Sequence, residues 1–197
     1  MKRHYLISSI KALTTGLLIV VVVNILSVFW YHHFDLTEEK RYTLTTSTKK
    51  LLNSLDDKVD VEIHLTGKDL PAGIKILQNE TRELLQEFRN NSKGLVTFHF
   101  FDYNSIKDIK KREEFQMELV KKGLRPTNLE VKSQDGFTEK LVFPGAIIKN
   151  NGREIPIQLL ENQFSVGAQG SLNNSIGFLE YKLANGIQKI TKEHPVK

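Results

Sequence analysis

An α/β domain behind an N-terminal transmembrane helix is the fold this sequence predicts, on three observations. Ala12 to Tyr31 is a stretch of twenty residues without a formal charge. From Tyr42 onward, strand-like alternation and helix-like periodicity take turns along the chain. An Asn150-Asn151-Gly152 turn joins two alternating apolar runs, the strongest short-range sign of a hairpin. The expected organisation is a cytoplasmic flank at residues 1–11, a transmembrane anchor at 12–31 and one extracytoplasmic α/β domain at 32–197.

The anchor comes first. Twenty residues at about 1.5 Å each reach roughly 30 Å, the thickness of a hydrocarbon core. Trp30 and Tyr31 fall where an aromatic belt meets water and are the candidate interface anchors. A cleaved signal peptide shares the basic start and apolar run, but needs small residues just past a shorter core. Here the run continues through Asn24-Ile-Leu-Ser-Val-Phe-Trp-Tyr31, with no Ala-x-Ala-like site. Lys2, Arg3 and Lys11 precede the span without an acid, whereas His32 to Glu39 hold Asp35, Glu38 and Glu39 without a Lys or Arg. The nearest flanks weigh most, so the N-terminus lies in the cytoplasm and the domain in the periplasm, anchored in the inner membrane. Gly16, Asn24 and Ser27 share one helical face and are the candidate contacts to a neighbouring membrane helix.

The domain follows element by element. Thr45, Thr46 or Ser47 can cap a short helix carrying Leu51, Leu52 and Leu55. Val59 to Leu65 alternates as a half-buried strand. After Gly67 and Pro71, Ile74, Leu77, Leu84, Leu85 and Phe88 form the apolar stripe of a helix over about Ala72 to Asn91. Leu95 to Phe101 reads as a buried strand, rich in aromatic and β-branched residues. A charged helix over about Lys107 to Lys122 is expected to turn Ile109, Met117 and Val120 inward and to end at Gly123.

Strands at Leu129–Ser133 and Lys140–Phe143 come next, then the hairpin of Ala146–Lys149 and Arg153–Leu159, with Pro156 confining the latter to a sheet edge. Gly167 and Gly170 mark a loop before a last helix, about Leu172 to Thr191, that aligns Leu172, Ile176, Leu179, Leu183, Ile187 and Ile190. Strand, helix, strand, helix, hairpin, helix is a thioredoxin-like order, with Phe143-Pro144 just ahead of the hairpin. Fold alone does not give function.

Chemistry is limited by what is missing. There is no cysteine, hence no disulfide scaffold, thiol nucleophile, Cys-ligated zinc or CxxC chemistry. The net charge is +5, but Lys2, Arg3 and Lys11 supply three of those charges, which leaves no concentrated basic face for nucleic acid. The six histidines are His4, His32, His33, His64, His99 and His194, and no two have metal-ligand spacing on a helix. His64 and His99 alternate with apolar residues in their strands, which puts both on the same non-core face. Gly167-Ala-Gln-Gly170 is too short for a phosphate loop and lacks its Lys-Ser/Thr pair. The residues alone therefore describe an anchored, non-catalytic extracytoplasmic module with no cofactor and no metal.

Particular phrases of the sequence add to this. Arg41-Tyr-Thr-Leu-Thr-Thr-Ser-Thr-Lys-Lys-Leu-Leu-Asn-Ser-Leu55 directly follows the span, and a Val-x-Val-x-Ile-x-Leu-x-Gly strand follows it. Leu141-Val-Phe-Pro-Gly-Ala146, Glu154-Ile-Pro-Ile-Gln-Leu-Leu160 and Asn173-Asn-Ser-Ile-Gly-Phe-Leu-Glu-Tyr-Lys-Leu-Ala-Asn-Gly-Ile187 come later in order. Together they resemble the N-terminal part of the gliding-motility-associated ABC transporter auxiliary proteins, the GldG family of Bacteroidetes. The resemblance implies an extracytoplasmic, substrate-binding-type component working with an ABC permease and, through it, a cytoplasmic ATPase. It implies a longer family protein with a second α/β domain and a further span, no catalytic residues, and no named substrate. A membrane-anchored envelope scaffold without a transport role is the alternative function.

Overall fold

A computed structural model describes residues 13–22, 24, 43–67, 70–133, 136–161 and 167–192. Its contacts divide the chain into two units, Met1–Arg41 and Tyr42–Lys197. In the first, residues 13–22 (α1) and residue 24 are helical, and Leu13, Leu17, Leu18, Ile19, Val20, Val21 and Val22 are all exposed. No helix among the described residues is long and apolar enough to cross a membrane.

The second unit is a mixed α/β domain. Its helices are α2 (Thr46–Asn53), α3 (Ala72–Asn91), α4 (Ile109–Lys121), α5 (Gly167–Gly177) and α6 (Leu179–Lys192). Its strands are β1 (Val59–Ile63), β2 (Val96–Phe100), β3 (Thr127–Ser133), β4 (Gly136–Val142), β5 (Gly145–Asn150) and β6 (Arg153–Gln158). Four strands form one sheet in the order β2-β1-β5-β6, with β2 parallel and β5 antiparallel to β1, and β6 antiparallel to β5. β3 and β4 make a separate antiparallel hairpin.

Alternation decides the two faces of the sheet. Val59, Val61 and Ile63 of β1 are fully buried, while Asp60 and Glu62 between them point the other way. The apolar face packs on Leu77, Leu85 and Phe88 of α3, on Leu183, Ile187 and Ile190 of α6, and on Leu52 of α2. Thr45 caps α2, its Oγ1 accepting from the Thr48 N–H. Gly186 lets α6 lie close to the sheet, because a Cβ there would sit 2.5 Å from Ile148 Cδ1 and 2.8 Å from Ile157 Cδ1. The hairpin turns at Asn151 (φ 47°) and Gly152 (φ 78°), the doubly left-handed pair a tight two-residue connection requires. Pro156 lies on β6, an edge strand, as its missing N–H demands.

Four expectations are corrected. β2 is an edge strand and only Val96 in it is buried, because a sheet beginning at β2 covers that strand from one side only. On α4 it is Leu119 that is buried, with Phe115 partly so, while Ile109, Met117 and Val120 are 61%, 56% and 50% exposed. Turning the helix that way seats an aromatic ring and a leucine against the sheet. Gly167 and Gly170 begin α5 instead of a loop. The final helix is divided at Phe178, although its apolar stripe from Leu172 to Ile190 stays buried or half-buried throughout.

Candidate functional site

Among the described residues, the second face of the sheet carries a close group of titratable side chains. α4 covers one end of it through a small cluster of Tyr103, Leu119, Leu124, Phe143 and Ile147, with Phe101 and Phe115 packed against them. Beyond that cover, Asp60 and Glu62 of β1, Thr97 and His99 of β2 and Lys149 of β5 lie side by side, as the pairing of Glu62 with His99 and Asp60 with Lys149 requires.

Glu62 is the hub. Its Oε2 is 2.6 Å from Lys149 Nζ and 3.4 Å from His99 Nε2, and its Oε1 is 3.1 Å from His64 Nε2. His99 Nδ1 is also 3.5 Å from Asp60 Oδ2, and Asp60 Oδ1 accepts from the Thr97 hydroxyl at 2.9 Å. Burial pushes the Glu62 carboxyl up, but the Lys149 hydrogen bond and charge, aided by the two imidazoles, outweigh it and hold the group below its ordinary value. Farther along, Lys122 bridges Glu118 and Glu154, both at 2.9 Å, and these two bonds raise its pKa.

His64 sits where this polar row passes beneath α4. Its side chain is 0% exposed, and the rings of Phe115 and Phe101 lie 5.9 and 6.1 Å from it. The 3.1 Å approach to Glu62 lacks hydrogen-bond alignment, so neither ring nitrogen has a hydrogen-bond partner. Burial is the main reason its pKa falls to about 4; Glu62 pulls the other way, and Lys149, Lys122 and His99 add to the fall. His64 is therefore a neutral imidazole at pH 7, closed off from any substrate by α4. Tyr103 is buried as well, its hydroxyl donating to the Leu141 carbonyl at 2.6 Å, and burial pushes its pKa up to about 12.

This is a charge-paired surface with a shielded histidine. Among the described residues no three His, Asp or Glu side chains converge as a metal site would need. His64 and His99 share the non-core face, as the alternation predicts. What alternation alone could not reveal is that α4 seals one of them and leaves the other 49% exposed. A second concavity, between Pro71 and Ile74 at the head of α3, Leu129 of β3 and Leu172 of α5, is largely apolar and offers no charged group.

Of the residues the sequence nominates, Gly16 and Asn24 are both helical, and a Cβ on Gly16 would meet nothing within 4 Å. Ser27, Trp30 and Tyr31 lie outside the described residues, as do His4, His32, His33 and His194. Glu62 and Lys149, the centre of the polar row, were not nominated. Their only signal is a charge at an alternating position in each of two strands, which becomes informative once the strands are known to be neighbours.

Comparison with curated proteins and with solved structures returns no match. A domain family does match, over residues 38–149, a stretch that contains Glu62, His64, His99 and Lys149. The chain belongs to that family, described as a domain of unknown function, DUF7088.

Proposed function

We propose that the chain is a non-catalytic, extracytoplasmic auxiliary component of an ABC transporter of the gliding-motility type, the role implied by its resemblance to the GldG family. The observation that carries this reading is the ordered set of motifs from Arg41 to Ile187, which spans nearly the whole domain after an apolar N-terminal stretch. Residues 13–22 support the anchor, being helical with aliphatic side chains exposed all around, a pattern suited to lipid. The strand order β2-β1-β5-β6, with one parallel and two antiparallel pairings, supports a thioredoxin-like reading of the domain. Without cysteine such a scaffold serves binding and interaction, not thiol chemistry.

The anchor crosses the inner membrane with the N-terminus inside and the domain in the periplasm. Gly16, Asn24 and Ser27 face a permease helix, and through the permease the chain reaches the cytoplasmic ATPase. Tagged full-length protein, extracted from its native membrane in mild detergent, tests this. A permease and an ATPase recovered in stoichiometric amounts support the reading. Recovery of envelope proteins without either subunit sinks it and leaves the scaffold function.

A further inference from the structure

Among the described residues, His64 is the one polar side chain buried without a hydrogen bond: it is 0% exposed and neither ring nitrogen has a partner. Folded proteins leave few such groups, because each gives up its bonds to water with nothing in return. The backbone beneath the ring is fixed, since the His64 N–H donates to the Gly145 carbonyl at 2.9 Å. The ring itself is closed in by Phe101 and by Phe115 of α4.

Titratable groups face this ring from four elements. Glu62 comes from β1, His99 from β2, Lys149 from β5 and Lys122 from the C-terminal end of α4. A proton on His64 would therefore place a charge, shut away from water, beside one misaligned carboxylate, two lysines and a second imidazole. Relief is available in one direction. α3 buries six of its side chains, whereas α4 fully buries only Leu119. Lys122 ties the C-terminal end of α4 to Glu154 of β6 at 2.9 Å, so the part free to lift is the one that carries Phe115. Lifting it takes the aromatic cover off His64 and admits water to the ring.

We infer that His64 and α4 form a proton-operated latch, in which the neutral imidazole keeps the helix seated and the imidazolium releases it. Release uncovers Phe101, Phe143 and Ile147 of the small apolar cluster. Acid favours opening because the seated imidazole titrates at about 4 and a hydrated one near 6.5, so the open form takes up the proton first. Opening grows as the pH falls below 6.5 and levels off below about 4. The latch needs only the α/β domain and stands apart from the transporter reading.

Hydrogen exchange of the full-length chain in detergent micelles tests this at about pH 7.5 and about pH 5, each rate divided by that of an unstructured chain at the same pH. α4 is expected to be less protected than α3 at both values and to lose protection about 30-fold at the lower one. His64→Gln and His64→Phe cannot take the proton, and in either variant the loss should shrink to about twofold or less. Three results overturn the latch. Protection of α4 that does not fall with pH removes the proton's effect. Equal protection of α4 and α3 at both values makes the helix part of the core's cooperative unit. A loss that persists at full size in a folded His64 variant places the responsible proton on another group.

Discussion

The two faces of the central sheet are built on opposite principles. The first is covered by α2, α3, α5 and α6 over one continuous apolar core, from Leu44 to Ile190. Among the described residues the second is covered at one end by α4 and the Tyr103–Ser105 turn over a cluster of five buried residues, beside a row of carboxylates, a lysine and two histidines. Apolar burial is non-directional and insensitive to pH, so the first face supplies most of the stability. The second supplies little apolar area and responds to protons, which makes α4 the more easily released cover.

The largest way to break this contrast is to empty the first face. Leu179→Ala, at a position 2% exposed, is expected to cost about 2–5 kcal/mol. Urea denaturation should show that loss as a cooperative shift of the whole domain. Leu119→Ala empties the second face instead, and its main effect should be faster amide exchange within α4 while α3 and α6 stay protected. Equal acceleration everywhere would show that α4 belongs to the same cooperative unit as the core.

Acid tests the second face with no substitution at all. His64 titrates near 6.5 when unfolded and at about 4 when folded, so the unfolded chain takes up the proton first. Stability is fully present above pH 6.5 and falls as the pH drops toward 4, by about 3 kcal/mol. Glu62, with its folded pKa held below 4.5, adds a further loss at still lower pH as it is protonated. His64→Phe should flatten the profile between pH 6.5 and 4, measured by urea midpoints at several pH values. A profile identical to the parent's would mean the acid response comes from elsewhere.

Smaller effects sharpen the comparison. Gly186→Ala gains helix propensity but pushes a methyl against Ile148 and Ile157, for a net cost of about 1–2 kcal/mol. Its thermal midpoint should fall, and a rise would mean α6 has slack above the sheet. If the proposed transporter role holds, Asn24→Leu should weaken recovery of the permease by about 0.6–2 kcal/mol while leaving membrane association and the fold of the α/β domain intact. Unchanged recovery, read by quantitative co-purification, would reduce the span to a tether.

The first face was far more legible in the sequence than the second. β1 and α3 are read directly because one periodicity places their buried apolar residues, with only Ile76 of α3 left off the stripe and exposed, and the helix bounds Ala72 and Asn91 coincide with the expectation. The Asn151-Gly152 hairpin and the edge position of Pro156 follow from local backbone chemistry. α4 misleads because its apolar residues fit two overlapping stripes. Only the partner surface chooses the one through Phe115 and Leu119 over the one through Ile109, Met117 and Val120. The candidate site was half-legible for the same reason. Alternation pairs His64 with His99, but the Glu62–Lys149 contact joins positions 87 residues apart, and the sealing of His64 depends on how α4 docks.

The proposed transporter role is tested most directly by reconstituting a permease and an ATPase recovered with the chain in proteoliposomes, with and without the chain, and measuring ATP hydrolysis. An auxiliary component is expected to bind the vesicles' permease and to change the hydrolysis rate, and Asn24→Leu is expected to blunt that change. A chain that inserts into the same vesicles but leaves the rate unaltered, and does not associate with the permease, contradicts the transporter role.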